Sequence, residues 1–199
     1  MDWDNIGTFL KHGIHHVLTG WDHLLFASAL VLALTGFWEV FKIIGIFTIA
    51  HSITVTWTAL RGEPLIPPWI VEPVIAASII FVCLENILRR NSALTAQRMM
   101  VVFALGLVHG MGLGGALVEN LAGLEGAVAG WAIAAFCIGV EVGHLCVVAP
   151  LSGALKIGRD AGGDQFRNLS LRWGSVLISL GGCYYLVAAL GNSFGGGGD

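Results

Sequence analysis

The chain has 199 residues, of which 56% are hydrophobic and 12% charged, with a formal net charge of −3 and a mean hydropathy of +0.80. Soluble domains carry about 25% charged residues, so this composition excludes a water-soluble globular protein and points to a bilayer-embedded one. Its apolar runs are continuous, whereas barrel strands alternate over about ten residues, so the expected fold is all-α.

Six runs reach the roughly 20 residues a crossing helix needs. The expectation is one transmembrane domain over residues 1–192, with a Gly-rich flexible tail at 193–199. Residues 3–19 carry Trp3, Ile6, Phe9 and Leu10 among polar neighbours. That stretch is too short and polar to span, and reads as an interfacial or re-entrant helix. It shows no basic region followed by an apolar core, so no cleavable signal is expected.

The first span is expected over 22–38 and the second over 40–60, with a very short turn at Glu39 and Lys42 between them. Residues 61–68, RGEPLIPP, form a proline-rich loop. The third span covers 69–88, with Pro73 in its first turns, where proline is best tolerated. After a polar connection at 89–98 come spans at 99–118, 127–149 and 172–191, with a polar loop between the last two. Cys83, Cys137, Cys146 and Cys183 all fall in predicted helices without a CxxC pair, which gives a disulfide framework no support. Packing is their ordinary role, with soft ligation by Cys137 as the alternative.

Lys42, Arg89, Arg90, Arg98, Lys156, Arg159, Arg167 and Arg172 fall on one side of this topology, against Lys11 and Arg61 on the other. The positive-inside rule then puts both termini outside the cytoplasm of a bacterial inner membrane. The inner loops are no more basic than that rule explains, which argues against a nucleic-acid partner. The outer side gathers Asp2, Asp4, Asp22, Glu63, Glu72, Glu119, Glu125 and Asp199, a field that concentrates cations. Gly174, Gly181 and Gly182 suit either internal packing or a homo-oligomer.

Ionisable residues inside spans are costly and mark function. His16, Thr19, Asp22 and His23 would share one face if their stretch is a continuous helix. His51 and His109 fall near the midplane of their spans, and Glu72 near the outer end of its own. Glu85 approaches an inner end, while Cys137, Glu141 and His144 share a face further inward. Gly106, Gly110 and Gly114 form a strip beside His109 that admits another helix closely. Imidazole suits zinc, copper, iron and nickel, and carboxylate adds charge and oxygen. Convergence on one cation is the reading these residues favour. A hydrogen-bonded structural network and a histidine proton relay are the alternatives.

The same residues carry a family resemblance. HVLTGWDH, His16 to His23, matches an H-x5-D-H signature of the HupE/UreJ membrane proteins. HSITVTWTAL from His51, VEPVIAASIIFVCLEN from Val71 and FALGLVHGMGLGGAL from Phe103 resemble, in order, three further segments of that family's second branch. The resemblance implies a small helical permease associated with nickel uptake for hydrogenase or urease maturation. It places the signature residues at His16, Asp22, His23, His51, Glu72 and His109. The fourth segment holds a single His, where members best linked to nickel carry two, so cobalt, copper, zinc and iron stand beside nickel.

On this reading the acidic outer side gathers the ion, and His16, Asp22 and His23 strip part of its water. Glu72, His51 and His109 then hold it near mid-membrane, and Glu141 and His144, with Glu85, relay it inward. No ATP-binding motif is present, so transport would be passive or ion-coupled. The rivals are a zinc-dependent intramembrane hydrolase, with three His ligands activating water, and a structural membrane subunit.

Overall fold

A computed structural model describes residues 3–89, 94–112, 117, 121, 124 and 126–195. Six helices run through these residues in the order α1 (Trp3–Thr19), α2 (Trp21–Ala33), α3 (Phe37–Arg61), α4 (Pro68–Arg89), α5 (Ala96–Met111) and α6 (Gly126–Gly195). The described residues contain no strand.

Local chemistry sets the helix ends. Glu39 turns back so that its Oε2 accepts from Gly36 N at 3.2 Å, satisfying a free donor at the start of α3. Gly62, at φ 75°, closes the same helix by bonding Thr58 O. Proline occupies the first position of α4, where its missing N–H costs nothing. Thr95 caps α5, its Oγ1 accepting from Arg98 N at 3.2 Å.

Among the described residues three helices, α3, α4 and α6, are long and apolar enough to cross a membrane, and the count rises to four if the α1–α2 pair is one broken span. Six spans are expected from the sequence, and the described residues show three to four such helices. Gly20 bends α1 against α2 by 69°, and α2 ends at Ala33 after 13 residues, short of the expected 38. α5 has 16 residues, and positions 113–116 of the expected fourth span lie outside the described residues. The polar stretch expected as a loop after residue 149 is helical, so the fifth and sixth expected spans lie in the single element α6. That helix also runs to Gly195, into the stretch read as a tail.

α6 nevertheless breaks once, at Gly163 (φ 56°, ψ −147°), a conformation that only glycine adopts without strain. The chain reverses there. Arg159 Nη2 donates to Leu32 O at 3.0 Å, and a methyl at Gly174 would meet the Leu32 side chain. In a straight helix those two positions would lie roughly 22 Å apart. α6 therefore has two arms, 126–162 and 164–195. The first packs on α1, and the two cross where Gly13 and Gly139 meet backbone to backbone. The second packs on α2 and α4, with Gly174 under Leu32, Gly181 under Leu25 and Gly182 under Ile79 and Ile80. These three glycines are thus used in internal packing.

The buried side chains form two cores. One gathers Phe26, Leu30, Ile43, Ile44, Phe47 and Ile79, and the other Phe9, Val17, Val55, Ile133, Phe136 and Val140. Cys83 is buried in the first, filling space as a small hydrophobe. Outside these cores the surface is apolar. All six tryptophans with described side chains, Trp21, Trp38, Trp57, Trp69, Trp131 and Trp173, are exposed, a distribution that suits a lipid interface.

Candidate metal centre

The site lies where the two cores meet, and His23 is its hub. Four imidazoles, His23, His51, His109 and His144, are each no more than 2% exposed. His16 enters from α1, with its ring 4.6 Å from that of His23, centroid to centroid, and 5.9 Å from that of Phe136. The rings of His51, His109 and His144 lie 5.3, 5.7 and 5.7 Å from that of His23. Four elements converge besides α2: α1, α3, α5 and the first arm of α6.

The bend at Gly20 makes this possible. A side chain at position 20 would strike His16 O, Asp22 Oδ1 and His23 Nδ1, so the glycine sits directly beneath these side chains. His16 and His23 therefore meet across a corner. The expectation that they share a continuous helix face is corrected, and Thr19 drops out of the group. It is exposed and its Oγ1 donates to His15 O at 2.7 Å.

Two sets of three side chains bring ligand atoms within 4.8 Å of one another: His16, His23 and His51, and Asp22, His23 and His109. His23 belongs to both. Its Nε2 is 3.4 Å from His51 Nε2, and its Nδ1 is 3.1 Å from Asp22 Oδ2. The second approach is off the line of a hydrogen bond, so Nδ1 counts among the unsatisfied buried atoms, together with His16 Nε2, His109 Nδ1 and His144 Nε2. Buried polar atoms are rarely left unpaired. Four in one cluster of histidines suit a bound positive ion.

A neighbour fixes the nitrogen that His109 presents. Ser78 Oγ donates its one hydrogen to Ile75 O at 2.7 Å and lies 2.9 Å from His109 Nε2. The hydroxyl therefore accepts from Nε2–H, which leaves the bare lone pair on Nδ1. A second-shell bond of this kind orients a ligating histidine and sets its tautomer. Ser78 was not singled out from the sequence. Its signal was register: Val71, Ile75, Ser78, Val82 and Asn86 form the buried stripe of α4.

The other sequence-derived residues divide. His144, expected further inward, belongs with the cluster, its Nδ1 3.1 Å from Thr48 Oγ1. Glu141, expected on the same face, instead lines a groove of about 670 Å³ on the flank of α3, beside Thr48, Ser52 and Thr56. Its Oε2 is buried without a hydrogen bond. Glu72 supplies no atom to either set, although it and Asp22 both act electrostatically on Tyr185 of the second arm. Glu85 pairs with Arg89 at 3.4 Å, apart from the histidines. Below it Asn86 Nδ2 donates to Ala29 O at 2.8 Å and Asn86 Oδ1 accepts from Arg98 Nη2 at 2.9 Å.

Gly106 and Gly110 hold α5 against α3. A methyl at Gly106 would lie 2.7 Å from Phe47 O, and one at Gly110 would strike His51 O and Thr54 Oγ1. Thr54 Oγ1 also bridges the helices, 2.9 Å from Leu107 O. The close approach expected of this glycine strip is present at both positions, and Gly114 lies outside the described residues.

Apolar helices that enclose a buried cluster of imidazoles and one carboxylate suit one class, multi-pass membrane proteins. A family model described as HupE / UreJ protein matches residues 1–189, and the chain belongs to that family. No curated protein and no solved structure matches.

Proposed function

We propose that the protein is a permease for uptake of a divalent transition-metal ion, nickel first among the substrates, through the His/Asp cluster. Membership of the HupE/UreJ family, associated with nickel and cobalt transport, supports metal transport and argues for it over hydrolysis. One observation carries the reading: four buried imidazole nitrogens without a hydrogen bond, on His16, His23, His109 and His144, in a cluster that also holds the Asp22 carboxylate. A structural network would satisfy those atoms within the protein. A dehydrated divalent ion satisfies them from outside it. Such a site must also release its ion, so moderate affinity suits it.

In this account the ion enters at the Gly20 corner, beside Asp22 and His23. It is then held among His16, His23, His51 and His109. His144 continues the line through Thr48 toward the groove at Glu141. The two arms of α6 serve as separate crossings, and both termini face the periplasm.

Proteoliposomes test this. Wild-type protein should carry external Ni²⁺ to an entrapped chelating dye, while His23→Ala and His109→Ala should abolish entry. Ion bound without flux would overturn transport and favour a hydrolase. No ion bound at all would leave only a structural role.

A further inference from the structure

The donors do not close on one point. They form two sets, and a single ring belongs to both. The two nitrogens of an imidazole point away from each other, so one ion cannot use both. His23 Nε2 faces His51 and His23 Nδ1 faces Asp22. A neutral imidazole also offers only one lone pair at a time, because its other nitrogen carries the proton.

From this geometry we infer that the cluster is two alternative stations for one ion, a carboxylate station (Asp22, His23, His109) and an all-imidazole station (His16, His23, His51), with His23 as the ligand common to both. This inference rests on the metal-binding reading of the cluster, though not on transport. Each station uses the tautomer the other forbids. With the ion on Nε2, the proton of His23 sits on Nδ1 beside the Asp22 carboxylate. With the ion on Nδ1, the proton sits on Nε2 beside His51 Nε2. The two states carry the same number of protons, so the ion can pass between them with no net protonation. Filling both at once would need a doubly deprotonated ring between two divalent ions in a low-dielectric interior, where their repulsion is barely screened.

The stations also differ in chemistry. One offers an anionic oxygen and two nitrogens, the other nitrogen only. Hard cations such as Mg²⁺ and Ca²⁺ prefer oxygen, so the all-imidazole station admits only ions that accept nitrogen ligands. Passage between the stations exchanges all three ligand atoms, because the ion leaves one nitrogen of His23 for the other while the ring proton changes place.

Alternative modes for one ion add their association constants. Removing the weaker station therefore lowers total affinity by no more than about twofold. Removing a ligand of both costs much more, since even second-shell losses reach about 100-fold. The test titrates purified full-length protein in detergent with cobalt(II) chloride, for wild type, Asp22→Asn, His51→Ala, the double variant and His23→Ala. Circular dichroism and size-exclusion elution show which variants are folded.

The expected result is one Co²⁺ per wild-type chain, with at least one single variant within about twofold of wild type. The double variant and His23→Ala should each lose at least about 100-fold. X-ray absorption on the two single variants gives a reading that does not depend on His23→Ala folding: the shell should hold a carboxylate in His51→Ala and none in Asp22→Asn. Two ions per wild-type chain, large losses in both single variants, or an unchanged shell in both would overturn the inference. Because nothing here is read from flux, a protein that binds in this pattern and carries no metal would sink the transport reading alone. A protein that carries metal but needs all five donors at once would sink the two stations alone.

Discussion

Replacing Ser78 with alanine removes one oxygen atom that touches no ion, and it should still weaken metal binding. The hydroxyl lies 2.9 Å from His109 Nε2, and accepting from Nε2–H leaves the lone pair on Nδ1, the buried nitrogen that has no hydrogen bond. Without it, Nε2–H is a buried donor with no partner, at a cost of about 1–3 kcal/mol. The ring can relieve that cost by moving its proton to Nδ1, which removes the ligand. Loss of such a second-shell partner lowers metal affinity by about 10–100-fold, or about 1.4–2.7 kcal/mol. Since His16 and His51 give the ion a second place to bind, the loss is read in a His51→Ala background, where the Asp22 set acts alone. Competition against a metallochromic chelator in detergent supplies the dissociation constants. Equal Ni²⁺ affinity in His51→Ala and His51→Ala/Ser78→Ala would refute the tautomer argument.

Gly110→Ala should separate α5 from α3 and displace His51, because the new methyl meets His51 O directly. The overpacking should destabilise by about 1–3 kcal/mol and weaken Ni²⁺ binding, whereas Gly45→Ala, with nothing within 4 Å, should change neither in a thermal melt and a metal titration. Asn86→Leu should lower stability without touching metal affinity, since it strands the buried Arg98 guanidinium and Ala29 O. The cost should be about 1–3 kcal/mol, measured by denaturant unfolding in detergent. Glu85→Gln should leave Ni²⁺ affinity unchanged, because Glu85 pairs with Arg89 and belongs to neither set; a tenfold loss in titration would place it in the site.

Much of this was legible in the sequence, for a physical reason. Ionisable groups in apolar helices are costly enough to stand out, so His16, Asp22, His23, His51 and His109 could be grouped before any coordinates were known. Their geometry was less visible. Periodicity assumes a straight helix, and Gly20 bends this one, so His16 meets His23 across a corner and Thr19 turns away. His144 was placed by depth along a helix, but the Gly139 crossing and the packing of Gly143 on Val17 set its direction. Ser78 was hidden because a lone serine in an apolar run is unremarkable until its partner on another helix is known. The continuity of the last two apolar runs was hidden for a related cause. Hydropathy marks where a chain can cross, but it does not show that polar residues between two apolar runs continue one helix until Gly163 breaks it.

The central claim is that buried imidazoles and Asp22 surround a dehydrated transition-metal ion. Nickel K-edge absorption of the purified, Ni²⁺-loaded protein tests it most directly. The account predicts a first shell dominated by nitrogen, with the outer-shell scattering of at least two imidazoles, lost in His23→Ala. An all-oxygen shell, or protein that emerges from Ni²⁺ and a desalting column with no metal bound, would contradict it.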